Sequence, residues 1–326
     1  MEQKQGIWEG LAIGYFIMAA MGAMMFVVIA VMDLAGVKLV GDSVALGGQT
    51  NGWISLVALV VAGLGALCLL VELGKPFKCY LVMCNPKSIM TIGAYFLAAF
   101  FACSFIYATF FFSFIPWSGI VVLQKSFAVL GIVAALVLVA YPGIELGEAR
   151  GRRFWNGSAL VPLFLISATI SGVAGVILMM VLFGYSQDSA TAIIGYVLSG
   201  LIVLQLISLA GYMMSMSKSG VQEVDRAVEM ILHGRYKEAF WAGAFFVGLV
   251  VPLLMSMLGS ASVLLAFKAI LVIIGCVCFR YVFIGAAVTQ SLPGSEHEAC
   301  SDEEAVHLAV ALEKRWKEKE VWLNSL

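Results

Sequence analysis

Residues 53–73 read WISLVALVVAGLGALCLLVEL, and this stretch decides the fold class. Apolar side chains occupy every face of a helix drawn on it, and the same holds for residues 120–140. About 20 apolar residues cross the hydrocarbon core of a bilayer as an α-helix, whereas the strands of a transmembrane β-barrel are shorter and alternate in polarity. The stretch therefore predicts a membrane-spanning helix.

The composition extends this prediction to the whole chain. Of its 326 residues, 62% are hydrophobic and 12% are charged, whereas soluble domains average roughly 45–50% and about 25%. We predict an all-α polytopic membrane protein with eight transmembrane helices, which would form two four-helix bundles. The predicted spans cover residues 10–32, 53–73, 91–114, 120–141, 159–183, 192–215, 240–258 and 262–290.

Three segments lie outside the predicted spans. The opening MEQKQGIWEG holds acidic residues and no cleavage-site pattern, so we expect no removable signal peptide. Residues 218–238 carry branched apolar residues at helical spacing, which predicts a short helix lying at the membrane surface or a connector that dips into the headgroups. Residues 293–326 predict an amphipathic tail, which could dock on a partner or cap the transmembrane domain of residues 1–292.

Basic residues mark one side of the predicted bundle. With eight spans, both termini share a side with the second, fourth and sixth loops, and this side holds 15 of the 19 Lys and Arg residues. The positive-inside rule places it in the cytoplasm and the protein in the inner membrane. These residues form no single patch, which argues against nucleic-acid binding. They are Lys4, Lys75, Lys78, Lys87, Arg150, Arg152, Arg153, Lys218, Arg226, Arg235, Lys237, Lys314, Arg315, Lys317 and Lys319.

Several cofactors are excluded by the sequence. The three histidines, His233, His297 and His307, all fall outside the predicted spans, which excludes bis-histidine haem inside the membrane. The seven cysteines are scattered and form no CxxC pair, so we expect no iron–sulfur cluster and no metal site in this chain. No GxxxxGK[ST] loop is present, so ATP cannot drive the chain alone. Redox work would need a partner, and transport would need an ion gradient.

Glu72 and Lys75 stand at the end of the second predicted span. An ionisable group at the edge of an apolar helix is a functional candidate, because its burial is costly. A carboxyl at that depth can relay protons, so Glu72 is a candidate proton-transferring residue. The alternative is an interfacial ion pair between Glu72 and Lys75.

Tyr141, Glu145 and Glu148 end the fourth predicted span. Glu145 follows Tyr141 by one helical turn, so the two side chains can share a face. A phenol and a carboxyl on one face could bind the carbonyl of a quinone, with Glu145 transferring a proton and Glu148 a candidate for the proton path. In the simpler alternative, three arginines neutralise both glutamates at the surface; these are Arg150, Arg152 and Arg153.

Glycines recur every four residues in two places, a spacing that lets helices approach closely. They are Gly10 and Gly14 in the first span, and Gly143, Gly147 and Gly151 at the end of the fourth. Packing is the simplest account, but close approach would also frame a flat pocket. Trp8, Glu9 and Tyr15 would line that pocket, although Trp8 could equally be an interfacial anchor.

Two basic residues lie within the last predicted span. Lys268 and Arg280 are twelve residues apart, about 18 Å of helix. Arg280 could extend to the membrane surface, or reach Glu72, Glu145 or a quinone oxygen, and we favour it as a quinone-binding residue. Lys268 lies nearer the opposite membrane face, where it is either a simple snorkelling residue or part of a proton path.

Three stretches resemble the NrfD/PsrC family, whose members are membrane subunits of polysulfide reductases. The family signature reads roughly Leu-Asp-Leu-Gly-Arg-Pro, then Asn-Pro-Arg-Ser-Pro-Met-Ser-Trp-Gly, and residues 69–96 read LLVELGKPFKCYLVMCNPKSIMTIGAYF. Residues 141–172 resemble the family's Tyr-Thr-Gly run and the helix after it, and residues 8–23 resemble its first helix. The substitutions are Glu72 for aspartate, Lys75 for arginine, Ile89 for proline, Ile92 for tryptophan and Pro142 for threonine.

The resemblance implies a quinone-reactive membrane anchor without haem. Such a protein exchanges electrons between menaquinol or ubiquinol and a ferredoxin-like iron–sulfur subunit, usually with a molybdopterin catalytic subunit beyond it. Carried over position by position, it implies functional roles for Glu72, Lys75 and Tyr141. In many relatives the catalytic partner lies outside the cytoplasm. Either this complex faces inward, which we favour, or its basic loops bind an acidic partner.

Two other functions stay open at this point. One is a secondary transporter or ion-conducting subunit, although transporters often place charged residues at broken helices near the membrane midplane, whereas the ionisable groups here gather at helix ends. The other is a passive anchor that only holds a redox enzyme at the membrane.

Overall fold

The structure is a computed structural model. It describes residues 10–37, 49–72, 82, 84, 88–148, 151–157, 159–184, 189–258, 261–287, 310, 313 and 315–316. The chain divides into two units, Met1–Val288 and Thr289–Leu326. In the second unit the four described residues are helical, and the rest of the predicted amphipathic tail lies outside the described residues.

The regular elements of the described residues are helices. They are α1 (Gly10–Leu34), α2 (Thr50–Glu72), α3 (Ile89–Thr109), α4 (Val121–Gly147), a 3₁₀ turn (Arg153–Asn156), α5 (Leu160–Leu182), α6 (Ser189–Ser217), α7 (Gln222–Leu232), a π-helix (Ala239–Val250) that continues into α8 (Val251–Met255), and α9 (Ser262–Gly285). The helical periodicity of residues 218–238 corresponds to α7, which buries Val224, Ala227, Val228 and Ile231 on one face.

Seven helices within the described residues are long and apolar enough to cross a membrane, which confirms the all-helical membrane fold. The prediction of eight spans is not confirmed. Its seventh span falls on Ala239–Met255, a shorter apolar helix. Even at the α-helical rise of 1.5 Å per residue its 17 residues would extend at most about 26 Å, less than the roughly 30 Å of hydrocarbon in a typical bilayer. Apolar composition alone did not reveal this shortening.

Helix α1 lies at the centre of the first unit, where it packs against α2, α4, α5 and α9. Small residues allow the closest of these approaches. A Cβ atom on Gly22 of α1 would lie 2.4 Å from the carbonyl oxygen of Ala58, and one on Gly65 of α2 would lie 2.6 Å from the backbone nitrogen of Ala19. Glycine at both positions therefore brings the two backbones together.

Polar contacts identify the two ends of this unit. The side chains of Tyr107 and Gln124 both donate hydrogen bonds to the carboxylate of Asp33, at 3.1 and 2.8 Å. The end of α1, the end of α3 and the start of α4 therefore meet at one end, which we name the Asp33 end. The starts of α1 and α3 and the end of α4 meet at the other, which we name the Tyr141 end.

Helices α5, α6 and α9 pack with the π-helix and α8 beside this central helix. The closest contact joins Gly275 of α9 to Gly248 of the π-helix, since a Cβ atom on Gly275 would lie 2.1 Å from the Cα of Gly248. The indole of Trp155 donates a hydrogen bond to the carbonyl of Phe283 at 3.0 Å. This bond fixes the 3₁₀ turn against the end of α9.

Candidate functional site

Tyr15, Tyr141 and Glu145 come together at the Tyr141 end of the first unit. The rings of Tyr15 on α1 and Tyr141 on α4 are buried, and Glu145 is half-buried. The hydroxyl of Tyr141 interacts with the carboxylate of Glu145, one turn further along α4. Tyr15 lies close enough to both residues to interact with them electrostatically. The structure thus assembles three of the predicted site residues into one polar cluster.

Gly93 of α3 completes the packing around Tyr141. A Cβ atom at this position would lie 2.7, 2.8 and 2.9 Å from three carbons of the Tyr141 ring. Carbon atoms pack at about 3.5–4.0 Å, so only glycine leaves room for the ring where it is. Sequence analysis did not assign a role to Gly93. The indication in the sequence is that Gly93 directly follows Ile92 within residues 69–96, the stretch that resembles the family signature.

The glycines that recur every four residues do not share one packing role. A Cβ atom on Gly143 would lie 3.0 Å from the Cα of Val161, so Gly143 brings α4 close to α5. Gly147 and Gly14 have only ordinary van der Waals neighbours, and Gly151 faces open space. Among the repeated glycines whose surroundings the structure describes, Gly143 alone makes a close approach, and its neighbour is α5 rather than the first span, so the pocket stays a prediction.

Arg280 is buried in the first unit, with 2% of its surface exposed. Its guanidinium donates hydrogen bonds to the backbone carbonyls of Phe16 on α1 and Phe164 on α5. The guanidinium carbon also lies 5.5 Å from the centre of the Phe164 ring. Arg280 thus ties α9 to α1 and α5, one residue along α1 from Tyr15. The predicted extension to the membrane surface is wrong, because two helix carbonyls and an aromatic ring hold the cation inside.

Lys268 lies away from this cluster, toward the Asp33 end. Its ammonium group donates hydrogen bonds to Ser199 Oγ at 2.8 Å, Ser256 Oγ at 2.7 Å and the carbonyl of Gly195 at 3.3 Å. Only 2% of the side chain is exposed. The prediction that Lys268 simply snorkels is therefore wrong, because its acceptors lie inside the protein. Its role in a proton path stays a prediction.

The arginines after α4 do not follow the neutralising arrangement in the part of the chain that the structure describes. Arg152 is buried, and its guanidinium carbon lies 4.8 Å from the centre of the Trp155 ring. Burial lowers the pKa of Arg152. Arg153 and Glu148 are both exposed, and Arg150 lies outside the described residues. Stacking on Trp155, rather than an ion pair with Glu145, therefore positions Arg152.

The remaining predicted site residues are not described. Trp8, Glu9 and Lys75 lie outside the described residues. Glu72 is the last residue of α2, but its side chain is not described. Their roles stay predictions from the sequence.

The comparisons with known proteins agree with this architecture. The model of the family described as "Polysulphide reductase, NrfD" matches residues 1–291. The chain belongs to the NrfD family. A similar protein is a polysulfide reductase chain of Wolinella succinogenes, 24% identical over 258 residues, which cover 72% of this chain and 81% of that protein. Another is a selenate reductase subunit of Mesobacillus selenatarsenatis, 22% identical over 165 residues, which cover 49% of this chain and 39% of that protein.

These findings confirm the resemblance seen in the sequence. The chain is a multi-pass helical membrane protein of the NrfD family, similar to subunits of two reductases. The family match includes the cluster of Tyr15, Tyr141 and Glu145 and extends over every described helix of the first unit.

Proposed function

We propose that this chain is the haem-free, quinone-reactive membrane subunit of a respiratory oxidoreductase complex. It binds menaquinol or ubiquinol at the Tyr141 end and passes electrons to a ferredoxin-like iron–sulfur subunit, with a molybdopterin catalytic subunit beyond. The observation that carries this proposal is the interacting cluster of Tyr141, Glu145 and Tyr15, in a membrane protein of the NrfD family.

The chemistry of these side chains fits a quinone headgroup. Oxidation of a quinol releases two protons and two electrons, so a site for it needs proton acceptors close to the ring oxygens. The carboxylate of Glu145 can accept a proton, and the hydroxyl of Tyr141 interacts with that carboxylate. Tyr15 supplies a second hydroxyl beside both groups. Glu72 is the second proton-transferring residue that we propose.

The side chains of the cluster are shielded from water, which favours proton transfer between a bound quinol and the protein over proton transfer to water. Tyr15 and Tyr141 are 3% and 8% exposed, so little water reaches the phenols. Arg280 is held at the carbonyl of Phe16, the residue after Tyr15 on α1, so a buried cation lies beside this part of the site. Electrons have to leave the chain, because its sequence has no cysteine run that could hold a cluster. A partner bound at the Tyr141 end would receive them over the shortest distance.

A binding experiment tests the site. Tyr141→Phe removes the hydroxyl that positions Glu145, and we expect the affinity of the intact complex for a short-chain quinone to fall about three- to tenfold, as loss of one hydrogen bond implies. Tyr281→Phe is the control, because Tyr281 lies on α9 with 43% of its surface exposed. Equal affinities of the Tyr141 variant and the unaltered protein would contradict the assignment.

We also propose that both termini lie in the cytoplasm and that the partner docks there. Fifteen basic residues on one side support this orientation. Arg280 near the end of α9 contacts Phe16 near the start of α1, which supports an even number of crossings between them. A C-terminal reporter that is active only outside the cytoplasm tests the orientation. Activity of that reporter would overturn it.

A further inference from the structure

A pocket of about 90 Å³ lies around Lys268, toward the Asp33 end of the first unit. It is formed by α6, the end of α8 and the start of α9. We name it the Lys268 pocket; the residues that matter for its chemistry are Gly195, Tyr196, Ser199, Ser256 and Lys268. The proposed quinone site does not use it, since that site is at the other end of the helices.

The ammonium group of Lys268 is surrounded by neutral acceptors. Its three donors match three acceptors, two serine hydroxyls and one carbonyl oxygen. No carboxylate interacts with it in the part of the chain that the structure describes. A buried charge of this kind is costly unless an opposite charge compensates it. The Lys268 pocket therefore favours an anion.

The two serines add adjustable hydrogen-bonding groups. The hydroxyl of Ser199 donates to the carbonyl of Gly195 at 2.9 Å, and that of Ser256 donates to the carbonyl of Pro252 at 2.9 Å. Both oxygens therefore turn lone pairs toward Lys268. Because a hydroxyl hydrogen rotates freely, either serine can redirect its proton to an anion that enters the pocket.

The Lys268 pocket lies near the ends of its helices. Lys268 is six residues from the start of α9, about 9 Å along the helix. Ser256 directly follows the last residue of α8. Lys268 therefore lies nearer to the Asp33 end of α9 than to its other end.

The outer surface beside the pocket is apolar and exposed. Tyr196 lines the pocket and is 70% exposed, so the cavity opens toward the outside of the helices. On the adjoining faces, Ile193 is 60% exposed, Val263 79% and Phe267 55%. In a membrane protein such a face contacts lipid chains, and a tyrosine at its edge is typical of the interfacial layer.

We propose that the Lys268 pocket binds the phosphate group of an anionic membrane lipid. The phosphate pairs with the ammonium of Lys268 and accepts hydrogen bonds from Ser199 and Ser256. The acyl chains lie along the apolar face beside Tyr196. The lipid thereby supplies a negative charge that the described neighbours of Lys268 do not provide, and it holds α6, α8 and α9 together at the Asp33 end.

Lipid retention and thermal unfolding test this proposal in the purified full-length protein. Phosphatidylglycerol is added to delipidated protein, inorganic phosphate and a neutral diacylglycerol are added in parallel, and bound lipid is counted by native mass spectrometry. We expect phosphatidylglycerol to raise Tm by a few degrees, and Lys268→Met to reduce lipid retention at least tenfold and to abolish the rise. Ser199→Ala should weaken retention less. Lys125→Met is the control, because Lys125 is an exposed lysine at the same end.

Three results would overturn the proposal. Phosphatidylglycerol could stabilise the Lys268→Met protein as much as the unaltered one, so that the pocket holds no lipid. Inorganic phosphate alone could produce the whole rise in Tm, which would identify a site for a free ion. Lys268→Met could change proton uptake during turnover while lipid retention stays the same, which would assign Lys268 to the proton path instead.

Discussion

Replacement of Gly93 by alanine tests the packing that positions Tyr141. The added Cβ atom would lie 2.7–2.9 Å from three ring carbons. Since carbon atoms pack at about 3.5–4.0 Å, the ring and the new methyl group have to separate by about 0.6–1.3 Å. Tyr141 is buried, with 8% of its surface exposed, so the ring cannot move freely into solvent. We expect a loss of stability of about 1–3 kcal/mol, which is typical of overpacking.

The larger effect of Gly93→Ala should fall on activity. A displacement of about 1 Å at a reacting group can reduce a rate on the order of 10²-fold, and here it would separate the phenol of Tyr141 from Glu145. The assay is quinol oxidation by the intact complex, with Tm measured on the same preparation. Gly211→Ala is the matched control, since a Cβ atom on Gly211 of α6 meets no atom within 4 Å.

The Tyr141→Phe variant serves as a second background. It separates the effect of Gly93→Ala on the position of the Tyr141 hydroxyl from its effect on protein stability. In Tyr141→Phe the ring remains but the hydroxyl is gone, so Gly93→Ala should still lower Tm there while costing little further activity. Full activity and unchanged Tm of Gly93→Ala in the otherwise unaltered protein would refute the reasoning. An equal further loss of activity in the Tyr141→Phe background would show that Gly93 does not act through the hydroxyl.

Two further predictions concern packing away from the site. Gly275→Ala places a Cβ atom 2.1 Å from the backbone of Gly248. Because that backbone cannot move away, we expect little folded protein in membranes. Gly200→Ala is the control and should accumulate normally, since a Cβ atom on Gly200 meets no atom within 4 Å. Asp33→Ala leaves the hydroxyl of Tyr107 without its acceptor and should lower the free energy of unfolding by about 1–3 kcal/mol. Quinone affinity should not change in this variant, because Asp33 lies at the opposite end, and a clear change would contradict that separation.

The helices could be predicted well from the sequence because hydropathy directly reports the cost of placing side chains in a bilayer. Residues 53–73 correspond closely to α2, Thr50–Glu72, for this reason. Residues 240–258 show where hydropathy fails. Their composition is as apolar as that of the other spans, but the helix they form ends at Met255, and an apolar composition alone does not fix where a helix ends.

The candidate site could be predicted only where it depends on spacing along one helix. Tyr141 and Glu145 are four residues apart, so a helix brings them together whatever surrounds it. Gly93 contacts Tyr141 from another helix, and no pattern within either segment reveals that contact. Arg280 and Lys268 were visible as charges in an apolar stretch. Their acceptors are backbone carbonyls and serines of distant helices, which local sequence does not indicate.

The most direct test of the account is the turnover of the intact complex with Glu145→Gln. Glutamine keeps the size of the side chain but cannot accept the quinol proton. We predict a fall in kcat for quinol oxidation of about 10²- to 10⁴-fold, the usual contribution of a general base. Glu229→Gln, at an exposed position on α7, should leave kcat unchanged. An assembled Glu145→Gln complex that oxidises quinol at the unaltered rate would contradict the proposed site.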